Sequence, residues 1–465
     1  MKRADVVIGP YRAWYECGGE YQTGCTFLQT CGIIKLTIMH TGEMTMEHRF
    51  EILPGVFLTA VQTEKFKTGC CSVNLLRPMA RGEASANALI PSVLLRATEK
   101  HPDIRSISAR LDELYGASLG TLVRKKGEVQ TVGFFADFIE DRFASAPVFR
   151  QTADFLGEVL LRPALQGGAF LPDVVRGEQQ NLENAIAARI NDKRTWATSE
   201  LLRTMCAGEA YGVPRLGDLE DVRALDEKTL FAHYRDILAR SQVEIFYMGS
   251  AAPEAAADVF REVLSTLPRG ALTPCGTVVV SKAETVKTAE QALDVTQGKL
   301  ALGFRTGCTV TDAEFPALLM MNAIFGGGIT SKLFMKVREE LSLCYYALST
   351  LEKFKGVMLV SSGIDCAQRD VAQAEILRQL DAVRAGDISD YEFESARRYI
   401  RSSLCAGMDS PGRLDDFYIG QIIAGQPDTM QALSERVARV TKDDVAAAAR
   451  RVSLDTIFFL KGVQA

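Results

Sequence analysis

Two stretches of this chain end in the same way, and this repetition constrains the fold more than any other feature. Residues 225–249 and 440–462 each open with a polar capping residue, Asp226 or Thr441, and continue as an amphipathic helix. Each then finishes in a β-branched or aromatic strand that closes at glycine, predicted at Val243–Met248 and Thr456–Leu460. The repetition predicts a chain built from two structurally related halves.

The segments before these endings correspond as well. Residues 104–135 and 331–363 each run from a helix into a hairpin, and two long helices follow each hairpin. These helices are predicted at 144–162 and 172–192 in the first half and at 368–385 and 388–406 in the second. Because strands and helices are segregated in this order, we predict an α+β fold of two homologous domains, each with an antiparallel sheet packed by helices.

The repeated units place the domain boundaries. We predict a first domain at 46–250, a linker at 251–292 and a second domain at 293–465. Residues 1–45 are rich in glycine, cysteine and threonine and show little periodicity. We expect them to form an extension outside both domains, either disordered or produced by a misassigned start codon.

The composition excludes several functional classes. The 465 residues carry a net charge of −5, unlike a nucleic-acid-binding protein, and no run of about 18 apolar residues suits a membrane span. We therefore expect neither nucleic acid nor a membrane among the partners. The 11 cysteines, an odd number without any C-x-x-C pair, fit reduced thiols in the cytoplasm. The chain has only four histidines, which are His40, His48, His101 and His233, so metal chemistry built on imidazole is restricted.

Several polar side chains are expected to be structural. His101 is predicted to be a solvated residue that caps a turn, and His233 a surface or half-buried helix residue. The basic stretch Arg124, Lys125 and Lys126 lies within a predicted hairpin and is expected to be solvated.

The most specific local string is AIFGGGITSKLFMKVREELSLCYYALST, residues 323–350. A phosphate-loop interpretation fails because Lys332 follows Ser331 instead of preceding a serine or threonine, and because the residues before the glycines indicate a helix. We predict a flexible glycine hinge between two helices, formed by Gly326, Gly327 and Gly328.

This string resembles the second homologous domain of the pitrilysin/insulinase family of zinc peptidases, the inverzincins or peptidase family M16. That domain carries a pattern close to G-G-G-x-x-S-[RK]-L-F-x-x-[LIV]-R-E-x-x-G-L-x-Y. The residues that match in register are Gly326, Gly327, Gly328, Ser331, Lys332, Leu333, Phe334, Val337, Arg338, Glu339, Leu343 and Tyr345. Ser342 replaces the usual glycine. The order of the two halves agrees over about residues 48–463, and the resemblance implies one half of a clam-shell metallopeptidase.

In that family the first domain carries H-x-x-E-H and a distal glutamate. Two imidazoles and a carboxylate hold Zn²⁺, and the glutamate within the motif removes a proton from the bound water. In the matching stretch, Ala88 and Ser92 stand at the positions of the two histidines, and Pro91 stands at that of the catalytic glutamate. Ala185 stands at the position of the distal glutamate. Neither alanine nor proline can ligate a metal, so we expect no metal and no catalytic residue in this chain. A weaker alternative is a metal held by a displaced carboxylate, Glu178 or Glu183.

The resemblance implies a role for Arg338 and Tyr345 in substrate binding. In the family these side chains face the zinc of the first domain across a closed chamber. A phenol can donate to a carbonyl oxygen that gains negative charge, and an arginine fork can hold a carbonyl or carboxylate. Taken alone, Arg338 is better explained as an exposed helix residue and Tyr345 as a strand residue that packs locally, and only the twelve-position match favours the role in binding.

Several family members work as heterodimers of an H-x-x-E-H subunit and a partner that bears only the arginine and tyrosine. This chain is similar to the partner type, so we expect a zinc-bearing paralogous subunit, a peptide or protein substrate, and zinc only in that subunit. The string ANALIP, residues 86–91, is similar to a bacterial subfamily associated with aminopentanol modification of elongation factor P. The alternative is a stand-alone peptide- or protein-binding scaffold, in which an exposed strand edge takes up an extended peptide.

Overall fold

Two β-sheets organise the part of the chain that the structure, a computed structural model, describes: residues 48–426 and 428–463. The predicted extension at 1–45 lies outside these residues, and so does His40. The strands are β1 Arg49–Leu53, β2 Val56–Gln62, β3 Thr68–Pro78, β4 Ser118–Lys126, β5 Val129–Ile139, β6 Leu165–Gln166, β7 Ala169–Phe170, β8 Gln242–Gly249, β9 Lys287–Leu293, β10 Gly298–Arg305, β11 Cys344–Glu352, β12 Val357–Ile364 and β13 Ser453–Gly462.

The two sheets share one topology. The first is six-stranded, in the order β1-β2-β8-β3-β5-β4, and the second is five-stranded, in the order β11-β12-β10-β13-β9. Read from the opposite edge, the second order matches the first strand for strand once the additional β1 is set aside. The prediction of two related α+β halves is confirmed.

The sequence predicted antiparallel sheets, but each of the two sheets also contains one parallel pair of strands. The pairs β2–β8 and β13–β9 are parallel, and they occupy corresponding places in the two sheets. A parallel pair needs a long crossover connection. The helices that precede the last strand of each half provide that connection, because they return the chain beside its first strand.

Helices fill the rest of each half. They are α1 Arg81–Leu94, α2 Ile104–Glu113, α3 Val148–Leu161, α4 Pro172–Ala188, α5 Lys193–Met205, α6 Leu219–Arg223, α7 Glu227–Arg240, α8 Pro253–Val263, α9 Phe315–Asn322, α10 Arg369–Ala385, α11 Asp390–Gly407, α12 Pro411–Ala424, α13 Met430–Ala438 and α14 Lys442–Arg451. The predicted caps are present, since Asp226 accepts from the backbone N–H of Thr229 at 2.7 Å and Thr441 from that of Asp444 at 3.2 Å. No helix in the described ranges is long and apolar enough to cross a membrane.

Each half lends one helix to the other half's sheet. Helix α5 buries Leu201 and Met205 against Phe458 of the second sheet. In exchange, α12 places Tyr418 on Phe246 of the first sheet, with 5.8 Å between ring centroids. The opposite face of the first sheet is covered by α1, α3, α7 and α8. The two halves are therefore held together by a helix from each half that packs on the sheet of the other.

The segment predicted as a linker, 251–292, contains a strand that the sequence did not predict, in addition to a short helix. It contains α8 and all but the last residue of β9, which pairs with β13 over Lys287–Leu293. As an edge strand, β9 has no fully buried side chain, so its sequence carries little hydrophobic signal. The boundaries at 250 and 293 stay a prediction.

Candidate functional site

Helix α1 carries the positions where the resembled family binds zinc. Ala88 is only 4% exposed, Ser92 is half-buried, and Pro91 is buried within the last turn. The helix ends at Leu94, three residues after the proline, with the N–H of Leu95 donating to the carbonyl of Pro91 at 3.1 Å. The proline leaves the carbonyl of Asn87 without its usual helical N–H donor, and the helix ends within one turn of it.

A neutral hydrogen-bond chain lies beside these positions. Asn87 donates from Nδ2 to Gln130 Oε1 at 2.8 Å, and its Oδ1 lies 2.7 Å from His233 Nε2. Because the amide oxygen can only accept, Nε2 of His233 carries the proton. Burial lowers the pKa of His233, which keeps the imidazole neutral. The half-buried position predicted for His233 is confirmed, and its Nε2 is already engaged in the hydrogen bond to Asn87.

The carboxylates that could replace the distal glutamate are engaged by arginines. Glu178, which is buried, accepts from Arg96 Nε at 2.5 Å, and Glu183 accepts from Arg223 Nε at 2.8 Å. Ala185 is exposed on the same helix, α4. Within the described residues, no three histidine, cysteine, aspartate or glutamate side chains are grouped to hold a metal ion. The geometry therefore gives the displaced-carboxylate alternative no support.

His101 is not the solvated residue that we predicted. Its Nδ1 lies 2.8 Å from Glu158 Oε1, and its ring packs edge-on against Phe155 with 5.3 Å between centroids. Thr98 donates to the same carboxylate oxygen at 2.5 Å. The sequence could not reveal this contact, because Glu158 is far from His101 along the chain.

The glycine-rich segment is irregular throughout. A π-helical turn, Ala323–Gly327, continues α9, and a second π-helical segment spans Leu333–Glu340. Gly326 lies so close to β11 that a Cβ would stand 2.7 Å from the backbone nitrogen of Ser349. This glycine is required by close approach, whereas hinge motion at Gly326–Gly328 stays a prediction. π-Helical turns are rare in proteins, and those that occur are often found at functional sites.

The structure places Arg338 and Tyr345 at the two ends of one sharp turn. Arg338 lies on the second π-helical segment, with its side chain 42% exposed. Tyr345 is 71% exposed and is the extra residue of a β-bulge in the edge strand β11. Between them Ser342 adopts a left-handed conformation, with φ of 49°, at the position where the family pattern has glycine. The interpretation of Tyr345 as a locally packed residue is therefore wrong, while its role in binding stays a prediction.

Arg338 contacts only its own segment among the described residues. Its guanidinium lies 4.7 Å from the ring centroid of Phe334, and Nε is 3.4 Å from Glu339 Oε1. Exposed ion pairs of this kind contribute about 0–1 kcal/mol. The guanidinium can therefore turn toward a ligand at little cost.

The basic stretch in the β4–β5 hairpin was predicted to be solvated, and this prediction is wrong. Arg124 donates to the buried carboxylate of Asp415 at 2.6 Å, and Lys126 donates to Asp416 at 2.7 Å. Both acids lie on α12, so these pairs join the two halves. Lys125 turns instead toward a cleft beside α4. Sequence reasoning missed these partners because nearly 300 residues separate them.

Comparisons with known proteins agree with this arrangement. Residues 224–400 match the model of the family described as Peptidase M16 inactive domain. The chain is 31% identical over 415 residues to "Probable inactive metalloprotease YmfF" of Bacillus subtilis (strain 168), covering 88% of this chain and 96% of that protein. It is 28% identical over 318 residues to "Uncharacterized zinc protease SCO5738" of Streptomyces coelicolor, covering 65% of this chain and 68% of that protein.

Solved structures give the same result. A conserved protein from Enterococcus faecalis V583 superposes with a TM-score of 0.82 at 28% identity, covering 90% of this chain and 100% of that one. A peptidase M16 inactive domain from Pseudomonas fluorescens superposes with a TM-score of 0.74 at 14% identity, covering 89% and 98%. With the repeated topology and the replaced metal-site positions, these matches show that the chain belongs to the M16 peptidase family as an inactive-type homologue.

Proposed function

We propose that this chain is a non-catalytic subunit that pairs with an H-x-x-E-H-bearing paralogue and helps to bind a peptide or protein substrate. The observation that supports this most is a contrast between the two halves. Ala88, Pro91 and Ser92 stand where a metal site would be, yet Tyr345 is 71% exposed at the end of a strained turn. In that position the phenol is free to contact a group outside this chain.

The proposed chemistry assigns one task to each side chain. The phenol of Tyr345 donates to the substrate carbonyl as its oxygen becomes negative, and the fork of Arg338 holds a neighbouring carbonyl or carboxylate. Zinc is supplied only by the paralogue. The complex would work in the cytoplasm, and its finer proposed role is a link to modification of elongation factor P, supported only by the stretch at 86–91.

The test uses the complex purified with the H-x-x-E-H paralogue of the same organism. Tyr345→Phe should lower kcat for a peptide substrate by at least about 100-fold, as loss of one oxyanion donor does. Tyr391→Phe is the matched control, since Tyr391 is 65% exposed on α11 and outside the turn. Equal turnover of both variants and the unaltered complex would exclude the role of Tyr345.

The scaffold alternative is favoured by one observation, the open edge of β4. The carbonyl of Val123 points away from β5, because it accepts from the side chain of Arg215 at 2.6 Å. By the alternation of an antiparallel ladder, the backbone groups of Leu119 and Thr121 point outward too. An extended peptide could pair there without any partner subunit. Peptide binding by the chain alone, without co-purification of a zinc-bearing paralogue, would support this function instead.

A further inference from the structure

A cleft of about 680 Å³ lies between the end of α4, helix α5 and the end of β4. One face of α5, the loop after it and the end of β4 form its walls. The cleft begins at Ile186, the residue after Ala185, and reaches Glu352 of the second half. Residues of both halves therefore line a volume that suits a peptide side chain or terminus.

Five cationic side chains line the cleft, and Lys125, Arg189 and Arg215 are three of them. Lys125 Nζ donates to two carbonyl oxygens of the 211–213 turn, at 2.6 and 2.9 Å. Arg215 donates to the carbonyl of Val123 at 2.6 Å. Within the described ranges none of the three forms a direct ion pair, and neutral carbonyl oxygens hold Lys125 and Arg215.

The three charges lie close enough to influence one another. Burial, and after it the charge of Arg189, lowers the pKa of Arg215. Burial also lowers the pKa of Lys125 to about 8, and Arg189 acts in the same direction against the opposing effect of Glu352. Like charges grouped without a direct ion pair attract an anion into the space between them.

Among the described residues, no acidic side chain of the cleft forms a direct ion pair with Lys125, Arg189 or Arg215. Glu200 and Asp218 lie 4.0 and 3.8 Å from Arg203, on another part of the wall. The acids at 220–221 line the side formed by α6. Glu352 is half-buried, and burial raises its pKa against the opposing effects of Tyr211 and Lys125, which weakens it as a counter-charge.

We propose that this cleft binds a carboxylate group of an extended peptide, with Arg189 as its principal ligand and Lys125 and Arg215 beside it. An arginine fork binds a carboxylate through two parallel N–H···O bonds. The carboxylate is either the C-terminus of the peptide or an acidic side chain. The inference rests on the proposed function only in taking a peptide as the ligand.

The experiment measures fluorescence anisotropy with the full chain and three fluorescein-labelled hexapeptides of alternating valine and threonine. One is amidated and neutral, one has a free C-terminal carboxylate, and one is amidated with a central glutamate. At least one carboxylate peptide should bind about tenfold or more tightly than the neutral one, because charge-assisted hydrogen bonds are the stronger class. The peptide that gains identifies the source of the carboxylate. Equal affinities for all three peptides would overturn the proposal.

A pair of variants locates the binding. Arg189→Gln should bring the affinity for the carboxylate peptide down to that of the neutral one. Arg176→Gln should leave it unchanged, because Arg176 is exposed on the same helix and pairs with Asp173 outside the cleft. An undiminished preference in Arg189→Gln would overturn the proposal. Since the assay needs neither zinc nor the paralogue, inactivity of the two-subunit complex would count against the proposed function alone.

Discussion

Replacement of Lys355 by methionine should destabilise the chain strongly, because this lysine lies in a buried junction between the two halves. It is fully buried between β11 and β12, and Nζ lies 2.7 Å from Glu128 Oε1 and 2.6 Å from Glu209 Oε2. Both glutamates belong to the first half, one in the β4–β5 turn and one after α5. The loss of the lysine therefore leaves two carboxylates without a shared cation.

The magnitude follows from what the carboxylates retain. Removing one partner of a buried ion pair costs about 3–5 kcal/mol, because the remaining charge stays out of water. Glu209 still accepts from Arg305 at 2.6 Å, and Glu128 still accepts from the backbone N–H of Val278 at 3.1 Å. We therefore expect the lower end of the range, a loss of about 3 kcal/mol in the free energy of unfolding.

Urea denaturation followed by far-ultraviolet circular dichroism measures this loss. The control is Lys336→Met, which removes an exposed lysine paired with Glu340 and should leave the midpoint unchanged. Adding Glu128→Gln to Lys355→Met should recover part of the loss, because it removes one uncompensated charge. A loss below about 1 kcal/mol, the range of exposed pairs, would refute the idea that buried charges hold the halves together.

Three further results are expected. Ser342→Gly should stabilise the chain by about 0.5 kcal/mol in urea denaturation. The left-handed conformation costs a non-glycine residue about 1 kcal/mol, and the greater entropy of glycine in the unfolded chain cancels part of the gain from removing that cost. A lower urea midpoint would contradict this prediction. Burial raises the pKa of Glu209, but hydrogen bonds from Arg305 and Lys355 outweigh it and hold this pKa below its usual range. The ionised Glu209 therefore stabilises the fold above about pH 4.3, and this contribution to the free energy of unfolding is lost as the pH falls further. A urea midpoint that stays constant from about pH 6 to about pH 3 would contradict this prediction. Metal analysis of the purified chain should find no stoichiometric zinc, and one zinc per chain would return attention to Glu178 and Glu183.

The repeated order of elements was readable in the sequence because it depends on local signals. Capping residues such as Asp226 and Thr441 mark helix starts, and alternating apolar residues mark the strands between them. Edge strand β9 was missed because none of its side chains is fully buried and its sequence shows no such pattern. The parallel pairs were missed because strand direction follows from the crossover connections and not from the composition of any one strand.

The candidate site was predictable only where a motif covers it. Arg338 and Tyr345 belong to one contiguous pattern, and so do the positions of Ala88, Pro91 and Ser92. The contact of His101 with Glu158 joins residues far apart in the chain, and no local spacing predicts it. The same holds for the cationic group of the cleft, whose members come from a strand, a helix end and a loop.

Reconstitution from separately purified subunits tests the central claim most directly. This chain and the H-x-x-E-H paralogue are assayed for hydrolysis of a fluorogenic peptide alone, mixed, and mixed with a zinc chelator. We predict little activity from either subunit alone, at least about tenfold more from the mixture, and loss of that activity with the chelator. Full activity of the paralogue without this chain, or zinc-dependent activity of this chain alone, would contradict it.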